Sequence, residues 1–154
     1  MIRVRPARSE DVPRMMEIAR HSATAALWNQ ESYVRLFAAE RAPAYVGLVV
    51  EEDERMMGFL VGRELAGGEW EVENIAVNGD ARRRGLGSRL MGEFLDLVRG
   101  RGGHDIYLEV RASNRAACAL YEKWGFLETG VRKSYYQAPE EDARILRFSF
   151  PQGA

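Results

Sequence analysis

Arg82-Arg83-Arg84-Gly85-Leu86-Gly87 stands between a strand-like stretch and an amphipathic one, and this junction constrains the fold more than any other feature of the chain. Ile75-Ala76-Val77 reads as the end of a strand, and Leu90, Met91, Phe94, Leu95 and Val98 recur at helical spacing just after the loop. A strand that enters a glycine-rich turn and leaves as a helix points successive backbone N–H groups outward at the positive end of the helix dipole. That arrangement suits an anion such as a pyrophosphate. The glycines let the backbone approach the ligand closely, and the three arginines add charge. No Gly-Lys-Ser/Thr follows, so this is not a Walker loop, and the third glycine of the dinucleotide fingerprint is missing at its offset. An arginine-rich solvated turn capping a helix would carry the same residues.

The 154 residues are expected to form a single domain, 1–154, that buries about two-thirds of its unfolded surface. A formal net charge of −1 gives no global field that would favour nucleic acid or an anionic membrane. Three arginines at a helix start, without a wider basic surface, do not change that reading. No apolar run approaches the ~20 residues needed to span a bilayer. Met1-Ile2-Arg3-Val4-Arg5 reads as a strand and lacks the apolar core of a signal peptide. A single cysteine, Cys118, excludes an internal disulfide and fits a cytoplasmic protein. Two histidines and one cysteine argue against a zinc site, so no metal is expected.

Along the chain, 2–6 reads as a strand, and Ser9 is placed to cap a helix whose Val12, Met15, Met16 and Ala19 share one face. Asn29 can cap a second helix carrying Tyr33, Leu36 and Phe37. Strands are expected at 44–51 and 56–65 around the charged turn Glu52-Asp53-Glu54-Arg55, and at 69–77 after Gly67-Gly68. A long helix from about 86 to 101 stops at Gly102-Gly103. A strand at 105–111, a helix capped by Asn114 or Ser113 and ending before Gly125, and strands near 126–136 and 143–150 complete the order β-α-α-β-β-β-α-β-α-β-β. This is a mixed α/β sheet with helices on its faces.

Two further segments carry candidate chemistry. In 105–111, Ile106, Leu108 and Val110 face one side while Tyr107, Glu109 and Arg111 face the other. A carboxylate on a central strand needs a partner or a chemical role, because burying it alone is costly. Glu109 is either a general base in a cleft or one half of a structural ion pair. In the next helix, Ala117, Leu120, Tyr121 and Trp124 follow core spacing. Tyr121 therefore reads as a core aromatic, unless its hydroxyl reaches a reaction centre and donates a proton there. Cys118 reads as a small packed residue without a neighbouring histidine to activate it. Glu69, Glu71 and Glu73 form an acidic row on one strand face, either solvated or, through Glu73, able to attract or deprotonate a cationic substrate.

Asn74-Ile75-Ala76-Val77, Arg82-Arg83-Arg84-Gly85-Leu86-Gly87, Leu108-Glu109-Val110-Arg111-Ala112-Ser113-Asn114 and Ala119-Leu120-Tyr121-Glu122 through Gly125-Phe126 stand in that order. Together they resemble the GNAT acetyltransferase superfamily and, within it, the bacterial ribosomal-protein-alanine N-acetyltransferases. Arg132-Lys133-Ser134-Tyr135-Tyr136 and Asp142-Ala143 with Ile145-Leu146 are similar to that family's tail. The resemblance is strong over 69–148 and loose before it. It implies a mixed, mostly antiparallel sheet of about seven strands flanked by about four helices.

The resemblance also implies an enzyme that uses acetyl-CoA as cosubstrate. The backbone of Ile75, Ala76 and Val77 would pair with the pantetheine arm and polarise the thioester carbonyl. Arg83, Arg84, Gly85, Leu86, Gly87 and Ser88 would wrap the pyrophosphate, and Asn114 would contact the cofactor further along. The family's base falls on Glu109 and its acid on Tyr121. The implied reaction is direct transfer in a ternary complex to the N-terminal amine of a protein, with a ribosomal protein beginning with alanine as the acceptor. Ala26-Leu27-Trp28-Asn29 stands where the family often has Phe-Pro-Trp followed by Ser, so the peptide end departs from its pattern. A small amine, a polyamine or a lysine side chain as acceptor remains an alternative, as does an idle module that only binds CoA or a partner.

Overall fold

The computed structural model describes residues 1–22, 25–26, 28–38, 45–79, 85–137 and 139–151. Its elements run β1 (Ile2–Pro6), a 3-10 turn (Ser9–Asp11), α1 (Val12–Ala19), α2 (Gln30–Arg35), β2 (Tyr45–Glu52), β3 (Arg55–Glu64), β4 (Glu69–Val77), α3 (Leu86–Gly100), β5 (Asp105–Arg111), α4 (Arg115–Lys123), β6 (Leu127–Tyr136) and β7 (Glu141–Ser149). The seven strands form one sheet in the order β1-β2-β3-β4-β5-β7-β6. Every neighbouring pair is antiparallel except β4 and β5. Among the described residues this is the mixed, mostly antiparallel sheet with four helices that the sequence leads one to expect.

Alternation along the strands builds a core on each face of the sheet. Leu60, Trp70, Ile75, Ile106 and Leu108 pack under Leu90, Phe94 and Val98 of α3 and Ala117 and Tyr121 of α4. On the opposite face Phe59, Val61 and Ala76 pack against Val12, Met15 and Ile18 of α1 and Tyr33 of α2. Gly62 is where the ring of Phe94 lies on the sheet: a Cβ there would stand 2.4 Å from two of its carbons. The β2–β3 hairpin closes through Asp53 and Glu54, both at positive φ (50° and 70°). This backbone matches the twist of the flanking strands, and the N-terminal ammonium group of Met1 steadies it at 2.6 Å from the Asp53 carboxylate.

Local capping departs from the sequence reading at the first helix. Ser9 does not cap α1. It opens the 3-10 turn and its hydroxyl bonds the Glu10 carboxylate at 2.7 Å. Asp11 stands at the N-cap position of α1 without a side-chain bond to that helix; its carboxylate is held by Arg5 at 2.8 and 2.9 Å and accepts the Arg8 N–H at 2.7 Å, closing the 3-10 turn. Asn29 does cap α2, accepting from the Ser32 N–H at 2.9 Å, but the helix ends at Arg35, leaving Leu36 and Phe37 in the following turn. Asn114 caps α4 by accepting the Ala117 N–H at 3.1 Å, whereas Ser113 bonds Glu141.

Candidate active site

The site is made by a pairing that stops early. β4 and β5 are parallel neighbours over only three residue pairs, Glu69–Glu71 against Asp105–Tyr107. Past that seam the two strands separate toward their C-terminal ends, and side chains from both line the wedge between them. A cavity of about 510 Å³ lies there, with Glu73 and Asn74 of β4 on one wall, Leu108 and Glu109 of β5 on the other, and Tyr121 and Tyr136 closing it. A narrower cavity of about 200 Å³ adjoins it and runs between the start of α3 (Gly85, Gly87, Ser88) and α4 (Ala116, Leu120, Trp124). Ser22 and Ile75 line both cavities, so the two spaces meet at the middle of β4.

A β-bulge aims Glu73. Val61 of β3 faces Asn74 and Gly62 faces Val72, so Glu73 is the extra residue on β4. A bulge breaks the pleat locally and re-aims a side chain. The acidic row is therefore not a solvated strand face. Glu73 keeps only 19% of its side-chain surface exposed and lies 3.6 Å from Arg63. Burial first, and then the neighbouring Glu71, push its carboxyl up to about 7. Glu109 is held differently: its carboxylate lies 3.2 Å from the Arg132 guanidinium, which itself rests over the ring of Tyr135 at 5.2 Å.

Tyr121 is both core and cavity wall. The residue is 4% exposed, set edge-on to Trp124 and Phe126 with ring centroids 5.8 and 6.1 Å away. Burial holds its phenol well above the ordinary value, so at neutral pH it keeps its proton and can donate it. Tyr136 reaches the same cavity from β6, with the Arg111 guanidinium 4.3 Å from its ring centre. Asn74 is buried and bonded through both its oxygen and its nitrogen. Its oxygen accepts the Ala26 N–H at 2.9 Å and its NH₂ donates to the Tyr33 hydroxyl at 3.3 Å, tying the segment before α2 to β4.

Of the residues picked out from the sequence, Glu109, Tyr121 and Asn114 line the wide cavity and Val77, Gly85, Gly87 and Ser88 the narrow one. Ile75 lines both. The Ala76 side chain is fully buried in the core of the opposite face, which leaves only its main chain for a ligand. Leu86 is likewise a core residue at the start of α3. Arg82, Arg83 and Arg84 lie outside the described residues, as does Leu27. Sequence reasoning overlooked Trp124 and Tyr136 as cavity residues. For Trp124 the only signal was the i, i+7 spacing that also marks core. Among the described residues, no group of three His, Cys, Asp or Glu side chains is placed to hold a metal ion. No helix among them is long and apolar enough to cross a membrane.

The wedge thus holds a carboxylate on each of its strands and a phenol between them, beside a narrow apolar channel that ends at a glycine-rich helix start, and the chain belongs to the acetyltransferase (GNAT) family, whose model matches residues 12–126. The protein is an N-acetyltransferase. The [ribosomal protein bS18]-alanine N-acetyltransferase of Salmonella typhimurium is 37% identical over 138 residues, covering 88% of this chain and 89% of its own length. The crystal structure of the ribosomal-protein-S18-alanine N-acetyltransferase from Escherichia coli is similar with a TM-score of 0.86 at 31% identity, over 100% of this chain and 97% of that one. Ard1 from Thermoplasma volcanium reaches the same TM-score at 26% identity, over 98% and 99% of the two chains.

Proposed function

We propose that this enzyme moves the acetyl group of acetyl-CoA onto the α-amine of a protein N-terminus, with the N-terminal alanine of ribosomal protein bS18 as the acceptor and the cytoplasm as its place of work. The observation that carries the reading is the pair of cavities meeting at Ser22 and Ile75, one narrow and apolar, the other wide and acidic. The narrow one fits acetyl-CoA. Ile75, Ala116 and Leu120 give an apolar channel for the pantetheine arm, and Gly85, where a Cβ would meet nothing within 4 Å, leaves the α3 N-terminus open toward the pyrophosphate. Arg83 and Arg84 supply countercharge in this reading, and Asn114 contacts the cosubstrate from the wall of the wide cavity. Acetyl-CoA supplies an activated thioester; the remaining work falls to the protein.

An α-ammonium group has an ordinary pKa near 8, so freeing the amine at neutral pH costs little. Glu109 takes that proton, through a water molecule. The backbone of Ile75–Val77 holds the thioester carbonyl so that the amine nitrogen reaches its carbon. As the new C–N bond forms and the C–S bond breaks, Tyr121 gives its proton to the departing sulfur, and the second proton lost by the nitrogen returns through solvent to the phenolate. Its burial, which keeps the phenol protonated, makes it a donor at every physiological pH. Acid–base help of this kind contributes about 10²–10⁴-fold.

One observation favours a second assignment of the base. Glu73 shares the cavity and, at about 7, is poised to accept a proton where Glu109 is held by Arg132. Comparing pH–rate profiles of Glu73→Gln and Glu109→Gln separates the two: the base is the residue whose loss removes the acidic limb.

The function itself is tested by thiol release from acetyl-CoA with a short peptide beginning Ala-Arg and with the same peptide blocked at its N-terminus. Release with the free peptide alone supports α-amine transfer. Equal release with both assigns a side-chain acceptor or thioester hydrolysis, and no release while acetyl-CoA still binds sends the search to small amines.

A further inference from the structure

Trp124 closes α4, and its indole N–H donates to the hydroxyl oxygen of Ser88 at 2.7 Å. Ser88 sits in the first turn of α3, and the same indole ring covers that turn. A Cβ added at Gly87 would stand 3.4 Å from two of the ring's carbons. Trp124 thus forms a wall of the narrow cavity, contacts the glycine-rich turn at one edge and meets Tyr121 at the other.

The direction of this bond matters more than its existence. An indole N–H can only donate, whereas a serine hydroxyl has one proton to give and lone pairs to receive. With the indole occupying a lone pair, the Ser88 proton is available to donate, and the positive end of a helix favours an anion as its acceptor. A hydroxyl polarised by an incoming hydrogen bond is also the better donor.

Resting on the acetyl-CoA reading, we propose that Trp124 is a positioning residue for the cosubstrate, its indole N–H fixing Ser88 so that the serine hydroxyl donates to the pyrophosphate. A merely structural role is the alternative, in which the Trp124–Ser88 bond is a clasp between two helices with no effect on binding.

The test is calorimetric titration of acetyl-CoA into the wild-type enzyme, Trp124→Phe, Ser88→Ala and the double variant. Phe keeps an aromatic ring while removing the N–H together with the indole carbons over Gly87, so the double variant and the second ligand below isolate the N–H. Wild type should bind; Ser88→Ala should weaken acetyl-CoA about tenfold, and Trp124→Phe by about three- to tenfold. The double variant should be no weaker than Ser88→Ala, because the indole acts through the serine. S-acetylpantetheine, which has the arm and thioester but no pyrophosphate, should bind Trp124→Phe as well as it binds wild type. Equal acetyl-CoA affinity in wild type and either single variant overturns the proposal, as do losses that multiply in the double variant. Failure of wild type itself to bind acetyl-CoA refutes the underlying reading instead. If Trp124→Phe does not fold, Ser88→Ala against the two ligands decides: an equal loss for acetyl-CoA and S-acetylpantetheine overturns the proposal.

Discussion

Replacing Glu73 with Gln measures how much stability the fold gives up to keep a carboxylate in the wedge. The carboxyl rises from an ordinary 4.5 to about 7 because burial and Glu71 both disfavour its charge. Such a shift corresponds to at most about 3 kcal/mol. The side chain keeps some contact with solvent and lies 3.6 Å from Arg63, so screening leaves about 1–2 kcal/mol. Near pH 4.5 and below, Glu73 is protonated in the folded protein and contributes no penalty. As pH rises from 4.5 to 7, the unfolded chain releases this proton while the folded protein retains it, and stability falls; above 7 the full penalty is present. The amide of the Glu73→Gln variant carries none of it. Thermal melts from pH 4.5 to 8.5 should therefore show the variant and wild type together at the acid end. By pH 8 the variant should melt about 2–6 °C higher. A gap that does not change with pH would mean that only packing had been altered. A wild type that is the more stable at pH 8 would refute the argument outright.

The remaining predictions bear on the acid, the core and the wall of the cavity. Tyr121→Phe should lower turnover about 10²-fold while leaving the calorimetric affinity for acetyl-CoA unchanged; undiminished turnover would return the phenol to packing alone. Gly62→Ala should cost about 1–3 kcal/mol in urea unfolding, because the new methyl meets Phe94, itself fully buried and edge-on to Trp70 at 6.0 Å. Asn74→Ala strips the Ala26 N–H and the Tyr33 hydroxyl of a partner. It should lose about 1–3 kcal/mol and raise KM for the peptide more than for acetyl-CoA, since Ala25 and Ala26 line the wide cavity.

What the sequence made legible follows from how local each signal is. The strands at 69–77 and 105–111 have the observed bounds, since two-residue periodicity is a property of the segment itself. The turn at Asp53-Glu54 and the stop at Gly102 were equally local. Ser9 misled because a 3-10 turn, tied to β1 through the Arg5–Asp11 pair, precedes α1 and takes Ser9 into itself. Glu73 could not be placed from alternation because its bulge belongs to the β3–β4 pairing and not to β4 alone. Spacing left Glu109 and Tyr121 each between chemistry and packing, and the family resemblance, not periodicity, singled them out. That both face one cavity depends on the splay of β4 from β5, which no residue pattern records. The Trp124–Ser88 contact joins two helices 36 positions apart along the chain and has no local signature at all.

The short seam between β4 and β5 also orders the birth of the molecule. On one side of it lie β1 to β4, antiparallel neighbours drawn wholly from residues 2–77; on the other lie β5, β7 and β6, drawn from 105–149. The first half can pair as soon as it is synthesised, because each of its ladders joins consecutive strands. The second half cannot, since β7 slots between β5 and β6 and is the last of the strands to be made. A nascent chain thus carries a complete half-sheet of β1 to β4 while β5 and β6 still await the strand that joins them. A chain cut short before β7 leaves β6 without its strand partner.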